Sequence, residues 1–338
     1  MSNGTNVSLL ATTTTMKTEE FPWYTAVVTA FILPPIVVSG LIGNILTLII
    51  LLKYTESVPE KARLNMIILA AYDSIALMFY PGRLVFSEGL YILTGGNFYS
   101  TMETKFSLFC KGAAALGAFG GTGAGFTLIG FCLERYISIK WPMQSRTLFQ
   151  TKQSLVLLFL VAGPVSLFAG VSTGLGVGIL PTPLKPLGLS CRALETDQIM
   201  YILRLAAFLI NEMNPIILTI INIGLLGELR KAAKMQKQLS KRSTPSSQKD
   251  TLVAIISVIM AMIRCIILFP VVFFQGGHLV MGLFQTPLEL SGIRADFNRF
   301  GNAALRFSSI GHASNFYIYF WRIPAFRKAL KSLCCKRS

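Results

Sequence analysis

Seven stretches of this chain are each long and apolar enough to cross a lipid bilayer, and that fact restricts the fold more than any other. The interior of a bilayer hydrates no backbone group, so a spanning helix needs about 20 mostly apolar residues. The stretches run from Thr25 to Leu52, Leu64 to Gly82, Gly112 to Leu133, Gln153 to Leu180, Gln198 to Gly227, Thr251 to Gln275 and Phe300 to Phe320. The second carries Asp73, the fifth Arg204 and Glu212, the sixth Arg264 and the seventh Arg306, while the other three are uncharged. The seventh is the most polar, and hydropathy alone would pass over it. Of the 338 residues, 53% are hydrophobic and 14% charged, against roughly a quarter charged in soluble domains. That balance excludes a soluble globular enzyme, a disordered chain and a disulfide-dense scaffold. The expected fold is all-α, a seven-transmembrane helix bundle with helices near 25–52, 62–86, 107–139, 152–180, 197–228, 250–276 and 300–320.

The net charge of +16 would suggest nucleic acid in a soluble protein, but here its position carries the meaning. Lysines and arginines gather after helix one (Lys53, Lys61, Arg63) and between helices three and four (Arg135, Lys140, Arg146, Lys152). They gather again between helices five and six, from Arg230 to Lys249, and in the tail from Arg322 to Arg337. Basic loops lie on the cytoplasmic side, so the charge is a topology signal that also suits anionic membrane lipid; nucleic acid is not an expected partner. Residues 1–24 are then an extracellular segment, which the acceptor sequences at Asn3 and Asn6 allow as glycosylation sites. Those residues are Thr-rich and polar with no cleavable-leader pattern, so helix one is expected to start insertion. The plasma membrane is the expected location, with the chain crossing it many times.

Of six cysteines, Cys110 falls at the outer end of helix three and Cys191 in the outer loop before helix five. Both face an oxidising compartment, and they form the expected disulfide. No Cys/His cluster has metal-ligand spacing, and no phosphate loop, nucleophile elbow or HExxH sequence is present. No metal, cofactor or enzymatic activity is expected.

Charges inside membrane helices are costly and point to function, which draws attention to Asp73, to Glu134-Arg135-Tyr136 and to helix seven. In helix seven, Ser309, His312, Asn315 and Tyr319 recur at helical spacing and share one face, which Asn44 and Asp73 can meet. The Gly run of helix three (Gly117, Gly120, Gly121, Gly123, Gly125) reads as close helix packing.

Several of these residues together carry a resemblance. Gly43-Asn44, Leu69-Ala70-Ala71-Tyr72-Asp73, Cys110 followed 25 residues later by Arg135 in Glu-Arg-Tyr, Pro215, Pro270 and Asn315-Phe316-Tyr317-Ile318-Tyr319 resemble the rhodopsin-like G-protein-coupled receptors over roughly residues 25–335. The segment Trp321 to Leu333 resembles that family's amphipathic eighth helix on the cytoplasmic membrane surface, with Cys334 and Cys335 as palmitoylation sites within the 321–338 tail. The resemblance implies a receptor that binds an extracellular ligand, activates a heterotrimeric G protein through movement of helix six, and can engage arrestin. It implies that Glu134, Arg135, Tyr136, Asp250 and Tyr319 form the switch, with an inactive-state ion pair between Arg135 and Asp250.

In that family the intramembrane polar cluster holds waters and a sodium ion, whereas Ala124 and Gly311 stand here where polar ligands are usual. His312 reads first as a neutral packing histidine; the alternative is a protonated imidazole supplying a positive charge beside Asp73. Other departures are Leu268 for the usual helix-six Trp, Arg264 for an aromatic, Ile223 for a helix-five Tyr, Phe316 for the helix-seven Pro, and a helix four without Trp. Arg264 and Glu212, lone charges of opposite sign on neighbouring helices, are expected to pair, with a hydrated ligand contact as the alternative.

Gly117 and Ser309 occupy the places where amine receptors put Asp and opsins put the retinal Lys, which disfavours both ligand classes. The resemblance places polar ligand contacts at Arg83, Arg204, Asn211, Glu212, Asn302 and Arg306, and an apolar wall at Phe208, Leu268, Phe273 and Phe274, with Gly117 beneath them. An outer cavity richer in Arg than in acid suits a peptide or a carboxylate-bearing ligand. The Tyr80-Pro81 end of helix two and the Gly-rich helix three are also similar to melatonin-like receptors, so a small neutral ligand stays open. Two competing readings remain: a non-signalling or decoy receptor, and a seven-helix transporter or channel. The second lacks a helix-seven Lys for retinal and any visible internal repeat. Residues 229–249, with Ser243, Thr244, Ser246 and Ser247 as phosphorylation candidates, read as a helix extension and flexible loop.

Overall fold

Proline and glycine decide where the helices bend. The computed structural model of the chain describes residues 23–54, 58–94, 107–141, 143–145, 151–181, 189–193, 198–238, 245–283 and 291–334. Asn3, Asn6, Ser243, Thr244 and Cys335 lie outside the described residues, as do the side chains of Arg204, Glu212, Ser246, Ser247, Asp250 and Cys334.

α1 covers residues 23–53 as Trp23–Val27, a π-helical turn Val28–Ile32, and Leu33–Lys53. Pro34 and Pro35 open the third piece and have no N–H to give, so the turn before them loosens and Leu33 N–H reaches back five residues to Val28 O. α2 covers residues 60–94 and repeats the device: Glu60–Phe79 ends at Tyr80, Pro81–Leu84 follows, and a π-helical turn Val85–Gly89 leads into Leu90–Thr94. α3 is Ser107–Lys140 and α4 is Thr151–Leu175. α5 is Gln198–Gln238, with Pro215 inside it, and α6 is Pro245–Leu283, with Pro270 inside it. α7 covers residues 291–322, interrupted at Ser308 and Ser314 into Ser291–Phe307, Ser309–Ala313 and Asn315–Arg322. Extended backbone at Ile323 turns the chain into α8, Pro324–Cys334.

The expected limits need correction at several ends. Helix four stops at Leu175 rather than Leu180, because Val177–Pro181 forms β1 and pairs antiparallel with β2, Leu189–Ala193. Ile179 stands opposite Cys191 in that ladder, and Cys191 is bonded to Cys110 at the head of α3, with Cα atoms 5.7 Å apart. The bond ties the hairpin to the N-terminal end of α3. α5, α6 and α7 all run past their apolar cores, α7 beginning at Ser291 rather than Phe300. Hydropathy marks only the part of a helix that lipid surrounds, not the polar turns beyond it.

The side-chain distribution is that of a protein whose solvent is apolar. Leu52, Ile220, Ile223, Ile266 and Phe269 are more than 60% exposed, while Asn44, Asp73, Thr127 and Ser257 are fully buried. In water such a surface would aggregate; in lipid it costs nothing, and the polar groups gain by turning inward. Among the described residues, five helices are long and apolar enough to cross a membrane, and the Val161–Leu175 part of α4 is a shorter apolar helix. The largest core cluster lies in the half of the bundle that carries α8, where Leu128 and Phe131 of α3 meet Leu218 of α5, Met260 of α6 and Tyr319 of α7. Phe326 of α8 is fully buried there, its ring centroid 5.8 Å from Phe316 and 6.0 Å from Tyr319. That aromatic contact seats α8 against the bundle. α3 is the central helix, and its glycines let neighbours approach: a Cβ on Gly120 would lie 2.5 Å from the Ala76 backbone nitrogen of α2.

Candidate functional site

Polar side chains buried in the bundle fall at three depths. Near the C-terminal end of α3, Glu134 and Arg135 are 2% and 5% exposed, and Arg135 Nη2 donates to Glu134 Oε1 at 2.8 Å. Glu134 accepts a second bond at its other oxygen, from Asn65 Nδ2 of α2 at 2.7 Å. A buried ion pair persists only when its remaining lone pairs are filled, and Asn65 does this for the carboxylate. Sequence reading missed Asn65, because an Asn near the start of an apolar run looks like an ordinary helix-entry residue. The Arg135 guanidinium also lies 5.9 Å from the Phe131 ring. Tyr136 points the other way, its ring against Gly224 of α5 and its hydroxyl accepting from Lys140 Nζ at 2.8 Å. Tyr319 is buried on Phe326.

Midway through the bundle, five of the residues meet. Asp73 of α2 is fully buried, and its Oδ1 lies 2.6 Å from His312 Nδ1 of α7. Its Oδ2 accepts from Asn315 Nδ2 at 2.5 Å. Arg264 of α6, 5% exposed, brings Nη2 to 2.9 Å from His312 Nδ1, 3.3 Å from His312 Nε2 and 3.7 Å from Asp73 Oδ1. An ionised carboxylate only accepts and a guanidinium only donates, so with the imidazole taken as neutral one arrangement satisfies all three groups. His312 donates from Nδ1 to Asp73 and accepts from Arg264 at Nε2. The imidazole is then a neutral bridge between a cation and an anion. Asn44 Nδ2 of α1 donates to the His312 carbonyl at 3.3 Å, just before the break at Ser314. Ser309 is buried on the same face, with its hydroxyl making no hydrogen bond among the described residues.

Arg264 brings a positive charge beside Asp73, which agrees with the first reading of His312 as a neutral histidine. Arg264 turns toward α2 and α7, where a fully buried carboxylate awaits a counter-charge; the side chain of Glu212, its expected partner, lies outside the described residues. Two of the substituted switch positions also find plain roles. Ile223 is 68% exposed to the lipid side and takes no part in an internal relay, and Phe316 packs on Gly43 of α1, where a Cβ would lie 2.8 Å from its own.

Toward the hairpin end, Arg306 of α7 is 7% exposed and its Nη2 meets Glu88 Oε2 of α2 at 2.7 Å. Arg83 Nη1 lies 3.5 Å from Cys191 Sγ, under the hairpin. Among the described residues, those assigned to a ligand make contacts at several separate places. Gly117 is buried against Tyr80, whose Cβ would lie 3.1 Å from a Cβ placed there, so its role is helix packing. Asn211 accepts from Thr122 Oγ1 of α3 at 3.4 Å, and Asn302 sits on the exposed side with Gln275 and Asn298. Phe273 and Phe274 stack with Phe297 of α7, at 5.7 and 5.6 Å between ring centroids. Phe208 approaches Gly276, and Leu268 is half-buried with no polar contact of its own. Glu88 was missed, although the pairing logic applied to Arg264, that lone opposite charges in helices seek each other, would have found it.

Comparison with known proteins agrees with this geometry. No curated protein matches the chain. A family model described as 7 transmembrane receptor (rhodopsin family) matches residues 43–282, most of the length, and includes α2 to α6 and the Glu134-Arg135 site. A multi-pass bundle with a buried acid–Arg pair at the foot of α3 and a disulfide-anchored hairpin is thus placed by its sequence as well: the chain belongs to the rhodopsin family of seven-transmembrane receptors.

Proposed function

We propose that this receptor binds an extracellular peptide ligand and activates a heterotrimeric G protein from the plasma membrane, with its N-terminus outside. The observation that carries the coupling half is the buried Glu134–Arg135 pair, held from α2 by Asn65. Two charges stay buried at a cytoplasmic helix end at considerable desolvation cost, and a site that must release an arginine toward a partner gives a reason for that cost. Asp250, near the start of α6, is the residue assigned to hold Arg135 in the inactive state. Arrestin would use the same cytoplasmic opening. α8 presents Lys328 and Lys331 to the membrane surface with Phe326 and Ala329 turned inward, which suits anionic lipid.

The ligand half rests on charge. Arg83 under the hairpin and Arg306 on α7 place two guanidinium groups toward this end of the bundle, a chemistry that suits an acidic or carboxylate-bearing peptide.

The test is G-protein dissociation in cells at matched surface expression, with wild type, Asp250→Ala and Arg135→Ala. Asp250→Ala is expected to raise ligand-independent signalling and Arg135→Ala to abolish it. No change in either variant would favour a non-signalling receptor.

A further inference from the structure

We infer that the Arg264–His312–Asp73 chain is a latch that holds α6 against α2 and α7 in the membrane core, so that α6 moves outward only when the latch opens. The inference rests on the reading that this receptor works through movement of helix six. Arg264 lies six residues before Pro270 on the cytoplasmic side of that bend, so the guanidinium travels with the part of α6 that swings. The other core-facing side chains on that stretch include Val253, Ile256, Met260 and Ala261, which slide without breaking a directional bond. Arg264 cannot. Its Nη2 is held within 3.7 Å of Asp73 on one helix and 2.9 Å of His312 on another, and both charges are sealed from water.

The charge balance explains why the closed arrangement persists. The guanidinium and carboxylate neutralise each other through a neutral imidazole, and Asn315 fills the second carboxylate oxygen. Withdrawing Arg264 strands a cation and an anion in a medium of low dielectric, which is strongly unfavourable unless water or a new acceptor enters. An agonist opens the bundle only to the extent that it binds the open state better, and the latch sets how much better that must be. The device is built from residues that depart from the family pattern: Arg264 stands where an aromatic is usual, and His312 supplies the bridge.

The test uses full-length receptor in lipid nanodiscs, spin-labelled at cysteines replacing the exposed Glu60 and Ile255, with Cys265, Cys334 and Cys335 replaced by alanine. Pulsed electron resonance reads the separation of α2 and α6, and nucleotide exchange on added G protein is measured in parallel. Wild type is expected to give one short separation. Arg264→Gln and Asp73→Asn should each add a longer population and raise exchange several-fold, with the double variant no larger than either single one. Arg264→Lys, which keeps the cation, should hold the short separation. Identical distance distributions in wild type, Arg264→Gln and Asp73→Asn would overturn the latch, as would additive effects in the double variant. Longer separations with exchange at background would uphold the latch and refute G-protein coupling. Should Arg264→Gln fail to reach the surface, His312→Asn leaves both charges in place and is expected to shift the distances in the same direction; unchanged distances there would also overturn the proposal.

Discussion

Arg306 Nη2 donates to Glu88 Oε2 at 2.7 Å, joining α7 to the π-helical turn of α2 below the outer surface. Cutting one side of such a pair leaves the other charge buried and unpaired, at a cost on the order of 3 kcal/mol. Arg306→Gln is therefore expected to lower the melting temperature of the purified receptor, and Glu88→Gln on top of it to restore part of the loss. A double variant that melts lower than Arg306→Gln would show that the two residues act separately.

The disulfide between Cys110 and Cys191 closes a loop of 81 residues and fixes the hairpin to α3. Loops of that length are held by roughly 4–5 kcal/mol in the chain-entropy account. Cys191→Ser should reduce surface expression severely, and mild reduction of the mature receptor should lower its melting temperature before it changes helix content by circular dichroism.

The glycines of α3 offer a paired comparison. Gly120 faces the α2 backbone with no room for a methyl group, while Gly121, next to it, has nothing within 4 Å of a Cβ. Overpacking of this kind costs about 1–3 kcal/mol, whereas Gly to Ala at an open helical site gains up to about 1 kcal/mol. Gly120→Ala should destabilise the receptor and Gly121→Ala should leave it equal or firmer, read by thermal unfolding in detergent. Equal effects would contradict the close approach of α2 and α3.

Phe326 seats α8 between Phe316 and Tyr319. Removing a fully buried phenyl ring costs about 3–5 kcal/mol in soluble cores. Here the expected result of Phe326→Ala is local: faster hydrogen exchange across Pro324–Cys334, with α1 to α4 unchanged. Protection lost uniformly through the bundle would mean that α8 is needed for the whole fold.

Much of this was legible beforehand because lipid imposes so few solutions. Apolar runs gave the helices, basic loops the expected orientation, and Cys110 with Cys191 the disulfide. The ends were not legible: nothing in the hydropathy of Val177 to Pro181 separates the last turn of a helix from a strand, and the polar start of α7 at Ser291 falls outside any apolar window. Partners of buried charges were half legible. His312 and Asn315 follow from helical spacing and Asp73 from its charge, but the reach of Arg264 to Asp73 does not. A side chain of that length reaches across a bundle, and only three-dimensional packing tells which acceptor lies at its end. Asn65 was overlooked for the same reason, since it gains meaning only from the carboxylate it touches.

The central claim, that a buried arginine at the foot of α3 serves a G protein, is tested most directly by nucleotide exchange with purified receptor and G protein in lipid nanodiscs. The measurement compares Asp250→Ala with the double variant Asp250→Ala, Arg135→Ala. Exchange above that of empty nanodiscs in the first, returning to the empty-nanodisc rate in the second, is the predicted result. Exchange at the empty-nanodisc rate in both, with each variant folded and its disulfide intact, would contradict it.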